Sequence, residues 1–506
     1  MDRRKFLTAG SALMVGTAVF PRNILSEMKE IPQNKQGALG RFGVTEAEIK
    51  KVLAAALGKG GTYADLYFEH TFYDQLGLQD KQVNQAGSHI DYGMGVRVLA
   101  GDQTGYAYVE NITLDEMIRA AKSAAVIADS PNKQPIPPNL TQLPVTRDYY
   151  PINSPWEKIE LSKKIPFVQK LNDRIFELDS RVTKVNVILS NNTSHVLFYN
   201  SLGEYFYDYR PMVSLVAVCI MEENGNIENA HASRSYRMGF EFLTDEIVEE
   251  IAQEAVKRTS ILFNAVKPKG GEMQVVMGAG GSGILLHEAI GHAFEADFNR
   301  KNISIFSDKL GKKICDADID VVDDGTLMYN RGSVNFDDEG ISGQKTYIVK
   351  DGVLNSYLHD RVSARHYGVA PTGNGRRQSF RHIPMPRMRA TYMENGHATE
   401  EEIIASVKEG IFVDNFTNGQ VQIGAGDFTF FVKSGYLIEE GKLTQPIKDI
   451  NIIGNGPKAL ADITLVSNNQ KVDNGTWTCG KDGQSAPVTC GMPSVLVKKL
   501  TVGGNS

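Results

Sequence analysis

The sequence has no long run of basic residues. Its 54 Lys and Arg are outnumbered by 60 Asp and Glu, a net charge of −6, so charge gives nucleic-acid binding no support. Low-complexity tracts are absent too. With 48 glycines against 19 prolines, the composition describes a turn-rich α+β chain rather than a disordered one. Apolar runs are short: the stretch within Met1–Phe20 reaches about 15 residues and is broken by Gly, Ser and Thr, where a membrane span needs about 20. Cysteine is scarce, and four residues (Cys219, Cys315, Cys479, Cys490) leave disulfide and metal-ligand uses both open.

What stands at the start reads as an address. Met1–Phe20, MDRRKFLTAGSALMVGTAVF, pairs Arg3 and Arg4 with Phe6-Leu7 and a mildly apolar stretch, a pattern similar to a twin-arginine export signal. The expectation is a periplasmic protein with no stable span once residues 1–24 are removed, the alternative being a chain anchored by an uncleaved signal. Residues 25–40 read as a polar linker. At 506 residues the rest is long enough for two domains with substantial cores, an N-terminal α+β domain over 41–268 and a C-terminal domain over 269–506.

Local signals order the first domain. Thr45-Glu46-Ala47-Glu48 opens a helix with Ile49, Val52, Leu53 and Ala56 on one face, and Thr113-Leu114-Asp115-Glu116 opens another over Leu114–Ile127. Strands are expected at Tyr63–His70, Gln82–Gln85 and Gly93–Tyr108, the last turning at Gly101-Asp102. Seven prolines from Pro131 to Pro155 exclude regular helix there. Helices are then expected over Trp156–Leu178 and Asp245–Phe263, with strands between Thr183 and Cys219. Beyond Lys267–Gly271 short strands and glycine turns dominate, apart from helices at the motif described next and at Thr399–Val407. That is a β-rich, antiparallel, barrel-like domain. The alternating Asp316, Asp318 and Asp320 lack the glycine and glutamate of a calcium loop and read as one face of an exposed strand.

The chemistry concentrates in Met277–Asp297, MGAGGSGILLHEAIGHAFEAD. His287 and Glu288 adjoin and His292 follows five residues after the first histidine. Two histidines beside a glutamate suggest a zinc hydrolase, in which neutral imidazoles hold the metal and the carboxylate handles the proton of water. The spacing departs from the commoner four. On an ideal α-helix, residues five apart diverge by about 140°, so one ion requires a π-type widening or a kink near Gly291. Glu295 and Asp297 lie just beyond, with Glu295 open to two uses, a ligand or a support that orients a histidine.

Together with Asp473–Pro493 (DNGTWTCGKDGQSAPVTCGMP), this segment resembles the TldD side of the TldD/PmbA family of metallopeptidases. Asn374–Tyr392 (NGRRQSFRHIPMPRMRATY), Gly93–Tyr108 and Tyr436–Ile463 resemble the same family, so the likeness runs in order over roughly Gly40 to Gly504. It implies one zinc ion per chain, held by His287, His292 and Cys479, with Glu288 as general base. Cys490 departs from the pattern, and a Cys479–Cys490 disulfide is the competing use of the two thiols. In the arginine block, Arg376, Arg377, His382 and Arg387 have two readings: recognition of a peptide carboxylate or oxyanion, or ion pairs that hold the loop.

The function expected is a zinc-dependent peptidase acting on extended or unfolded peptides, working as a homodimer or with a PmbA-like subunit that lacks the metal site. Two rivals remain: a non-catalytic peptide-binding or assembly subunit with a vestigial motif, and a site-specific precursor-trimming protease.

Overall fold

The computed structural model describes residues 35–131, 134–315, 319–422 and 424–503. The expected export signal and most of the expected linker lie outside the described residues. Lys35–Phe42, at the linker's end, is a helix because Ala38 and Phe42 find a core to bury in. Among the described residues no helix is long and apolar enough to cross a membrane.

The first half is a long-stranded sheet with two helix pairs on one face. Tyr63–Gln79, Gln82–Ala100 and Gln103–Val109 form one antiparallel run, and Val182–Asn200, Glu204–Glu223 and Asn226–Tyr236 continue it through Tyr63–Gln79. The first strands run further than apolar alternation predicted. Asp80 and Lys81, both at positive φ, make a tight hairpin turn that carries polar Asp74, Gln75 and Gln85 into the ladder. The capping box expected at Thr45 forms in full with Glu48, whereas of the one expected at Thr113 only half forms, the Thr113 side chain accepting from the Glu116 N–H. Glu46–Ala56 and Leu114–Ala125 cover Leu66, Phe68 and Val96, while Leu161–Leu178 and Asp245–Ser260 cover Leu76, Leu78 and Val185.

Strand alternation aims the opposite face at the second half of the chain. Asp65, Tyr67 and Glu69 alternate with Leu66 and Phe68, and Tyr67, Val196, Phe198 and Phe206 pack against Phe336 and Phe380. Buried ion pairs stitch this contact. Arg97 donates to Asp65 (2.8 Å) and to Glu339 (2.5 Å), and Arg210 to Asp208 (2.8 Å) and Asp338 (2.5 Å). Glu69 accepts the Phe380 N–H at 2.8 Å; burial pushes its carboxyl up to about 7.

The second half holds a closed five-stranded barrel and a six-stranded mixed sheet. Lys442–Asn455, Asp427–Glu439, Glu409–Gln422, Gly271–Met277 and Val495–Gly503 pair in that order, and Ile452↔Val502 closes the ring. Barrel strands of up to 14 residues replace the short ones expected. The expected antiparallel pattern needs correcting at two pairs: Ala390–Met393 runs parallel to Thr489–Met492 in the mixed sheet, and in the barrel Gly271–Met277 pairs parallel with Glu409–Gln422. A parallel pair requires a long crossover, and this one carries the histidine motif and most of the second sheet. An unforeseen helix, Arg361–Tyr367, is capped by the Asp360 side chain and ended by Gly368 in the left-handed region. Asp316 and Asp318 lie outside the described residues; Asp320 accepts from Lys350 and from the Asp351 N–H.

Replacing Arg97 by Met strands two buried carboxylates between the halves. A loss of about 3–5 kcal/mol is expected, read as a lower urea midpoint. An unchanged midpoint would show that the seam does not hold the halves together.

Candidate metal centre

The motif is shaped by backbone contact on both sides. Gly271–Met277 leaves the barrel into a glycine turn with Gly280 at φ +91°. A Cβ on Gly283 would lie 2.3 Å from the Gly491 nitrogen, so the helix entry presses directly on strand Thr489–Met492. Leu286–Gly291 then forms a π-helix, and the His292 N–H donates to the His287 carbonyl five residues back. That wider turn returns both imidazoles to one side, the geometry the spacing required. Their ring centroids stand 5.0 Å apart.

The third donor arrives on a hairpin, Thr478–Lys481 with Gln484–Pro487. Strand alternation buries Cys479 and Lys481 on one face and leaves Thr478 and Gly480 exposed. Two arginines hold this hairpin by its backbone. Arg387 donates to the carbonyls of Cys479 (2.6 Å) and Gln484 (3.3 Å), and Arg376 to that of Pro487 (2.7 Å) and to Met388 O.

One ligand atom each from His287, His292 and Cys479 lies within 4.8 Å of the others, all three buried. His292 Nε2 and Cys479 Sγ are 3.3 Å apart, and neither ring nitrogen of buried His287 has a hydrogen-bond partner among the described residues. Burial alone would push the Cys479 thiol up, but the His287 and His292 imidazoles facing it hold it down at about 4. Burial likewise works against a charged His292, and the Glu295 carboxylate and Cys479 raise its affinity for a proton.

Behind the trio stands a carboxylate. Glu295 Oε2 is 3.0 Å from His292 Nδ1 and 3.0 Å from Lys481 Nζ. Burial raises its carboxyl, while Lys481 and His292 hold it at about 2. Sequence reasoning missed Lys481; its spacing of two from Cys479 on a strand was the available signal.

His287 and Glu288 open onto a cavity of about 310 Å³ whose other walls include Asp414, Asp473, Trp477 and Arg258. Cys490 also lines it, as a buried free thiol that burial and the nearby Asp473 and Glu288 push up; Cys479 is likewise free. Arg377 and His382 are not brought to the trio. Arg377 binds Asp338 through its own N–H (2.8 Å) and its guanidinium (3.0 Å to the carbonyl), at the seam between the halves. His382 Nδ1 meets Ser379 Oγ at 3.0 Å.

Comparison with known proteins places these residues in a wider set. The family described as PmbA/TldA metallopeptidase matches with its C-terminal domain at residues 270–504, its central domain at 154–263 and its domain 1 at 64–128. The chain is 39% identical over 451 residues to the metalloprotease TldD homolog of Haemophilus influenzae, covering 88% of this chain and 93% of that one. It is 28% identical to the zinc metalloprotease TldD homolog of Saccharolobus solfataricus, covering 90% and 99%. Its fold is similar to the crystal structure of TldE from Thermococcus kodakarensis, with a TM-score of 0.68 at 18% identity over 90% of this chain and 100% of that one.

In metal-free protein, Cys479 is expected to remain a thiolate at neutral pH and to protonate only as pH falls toward about 4. Ultraviolet thiolate absorbance at pH 7 should be lost in Cys479→Ser and kept in Cys490→Ser. Absorbance that first appears above about pH 8, as for an ordinary thiol, would overturn this reading.

Proposed function

The chain belongs to the PmbA/TldD family of metallopeptidases, and from that premise we propose that it is a zinc-dependent peptidase. The observation that carries this reading is the convergence of two imidazoles and a thiol beside a cavity walled by Glu288.

The donors suit one zinc ion. Around a tetrahedral centre, nitrogen and sulfur donors stand about 3.3–3.6 Å apart, the separation found between His292 and Cys479. The unpartnered nitrogens of His287 supply what a ligand must have, a lone pair not already engaged. His287, His292 and Cys479 would hold the ion. The chemistry supplied on binding is polarisation of a carbonyl and acidification of water.

The chain's own groups do the rest. Glu288 accepts a proton at its carboxylate and returns it to the departing amine. Glu295 fixes His292 with Nδ1 as donor, leaving Nε2 for the metal. Trp477 and Phe416 narrow the cavity around an extended peptide, and its walls come from both halves of the chain. Substrates are therefore extended or unfolded segments. A second subunit, a copy of this chain or a PmbA-like chain, completes the working assembly in keeping with the family. The twin arginines address it to the periplasm.

Glu288→Gln should keep zinc and lose peptide hydrolysis by about 10²–10⁴-fold, measured with a peptide library and metal analysis. Cys479→Ser should lose both, and Cys490→Ser neither. Wild-type protein with neither zinc nor turnover would leave the non-catalytic peptide-binding reading in its place, and a Glu288→Gln variant with full turnover would remove Glu288 as the general base. Arg3→Lys with Arg4→Lys should retain the protein in the cytoplasm on fractionation; unchanged export would remove the periplasmic assignment.

A further inference from the structure

Lys481 has no part in the chemistry above, yet it is among the most constrained cations of the site. Its side chain is 3% exposed. An ammonium has three N–H groups, and three acceptors meet this one: Glu295 Oε2 at 3.0 Å, Asp297 Oδ1 at 2.8 Å and the Pro386 carbonyl at 2.9 Å. The Phe298 ring lies 4.3 Å from Nζ and closes the remaining side.

The oxygen of Glu295 that meets Lys481 is the one that meets His292 Nδ1. Two partners at Oε2 hold the carboxylate on the Nδ1 side of His292; Oε1 is left without a hydrogen-bond partner among the described residues, and Glu295 is not among the donors that converge with His287 and Cys479. Without the ammonium, Glu295 and Asp297 would be two buried carboxylates lacking their cation, close to a site built for a dication. Buried anions in that position turn to the nearest positive charge. Cys479 and Lys481 also leave the same face of one strand, so the strand that delivers the thiolate delivers the restraint on its rival with it.

We propose that Lys481 is a positioning residue that selects the donor set, holding Glu295 as the support of His292 and out of the metal's own coordination. The inference rests on the reading that His287, His292 and Cys479 hold a metal. It accounts for a site with a buried glutamate three residues past a ligand that nevertheless draws its third donor from a distant hairpin.

Cobalt(II) titrated into metal-free protein reports the donor set directly. Wild type should show a thiolate-to-cobalt charge-transfer band and tetrahedral ligand-field bands at one equivalent. Lys481→Met should bind cobalt and zinc about 10- to 100-fold more weakly and show ligand-field bands altered by carboxylate coordination. Lys481→Met with Glu295→Gln should return those bands to the wild-type pattern, because the freed carboxylate is gone. Glu295→Gln alone, which keeps Lys481, should bind more weakly with unaltered bands, and it serves should Lys481→Met fail to fold. Wild-type bands in Lys481→Met at unchanged affinity, or altered bands in Glu295→Gln alone, would overturn the assignment. Wild-type protein that takes up no cobalt would instead overturn the metal reading beneath it.

Discussion

One hydrogen bond carries the site: the His292 N–H to the His287 carbonyl. Closing that ring over five residues rather than four brings both imidazoles to the same side, and the cysteine hairpin can then meet them. A π turn is locally less favourable than an α turn, so its surroundings must enforce it. They do so through glycines. A Cβ on Gly291 would stand 2.2 Å from Met388 Sδ, and one on Gly456 only 2.0 Å from the Ala289 carbonyl. Leu286, Ala289, Ile290 and Phe294 meanwhile sit in the largest core cluster with barrel residues such as Val275, Ile411 and Phe430. Held from several directions, the widened turn has no room to relax into a regular helix.

The seam between the halves matters to the site for a related reason. Arg258 and Ser233, from the first half, share the cavity with Glu288 and Trp477 from the second. The space inside the cavity is thus set by how the halves meet. That meeting is fixed by buried charge as well as by Tyr67, Phe198, Phe336 and Phe380. A charged seam tolerates little sliding, because each displaced cation leaves an anion buried alone.

How much was legible in the sequence differed by the kind of signal. Helix starts were, since a threonine and a glutamate three apart act locally, as at Thr45 and Thr399. The widened helix was legible because two histidines five apart can face one point in few geometries. The arginine block was less so: Arg376 and Arg387 grip backbone carbonyls of the cysteine hairpin, and Arg377 grips Asp338, partners far away in sequence. Lys481 was silent for the same reason, its meaning supplied by Glu295 across the site. The parallel pair in the barrel left no mark either, because strand direction follows from spatial order and not from local pattern.

That barrel has a consequence for the time at which the protein comes into being. Strand Gly271–Met277 lies between Glu409–Gln422 and Val495–Gly503, so its first neighbour leaves the ribosome about 130 residues after it and its second more than 200 after it. Until then its edges stay open, and the apolar face of the motif helix has no barrel to cover it. The first half, whose strands mostly pair with near neighbours in the chain, can form meanwhile. The second half must wait, and its thiolate arrives late, on a hairpin translated just before the closing strand. Synthesis therefore gives the nascent chain a long interval of exposed apolar strand, the state in which chaperones find their clients.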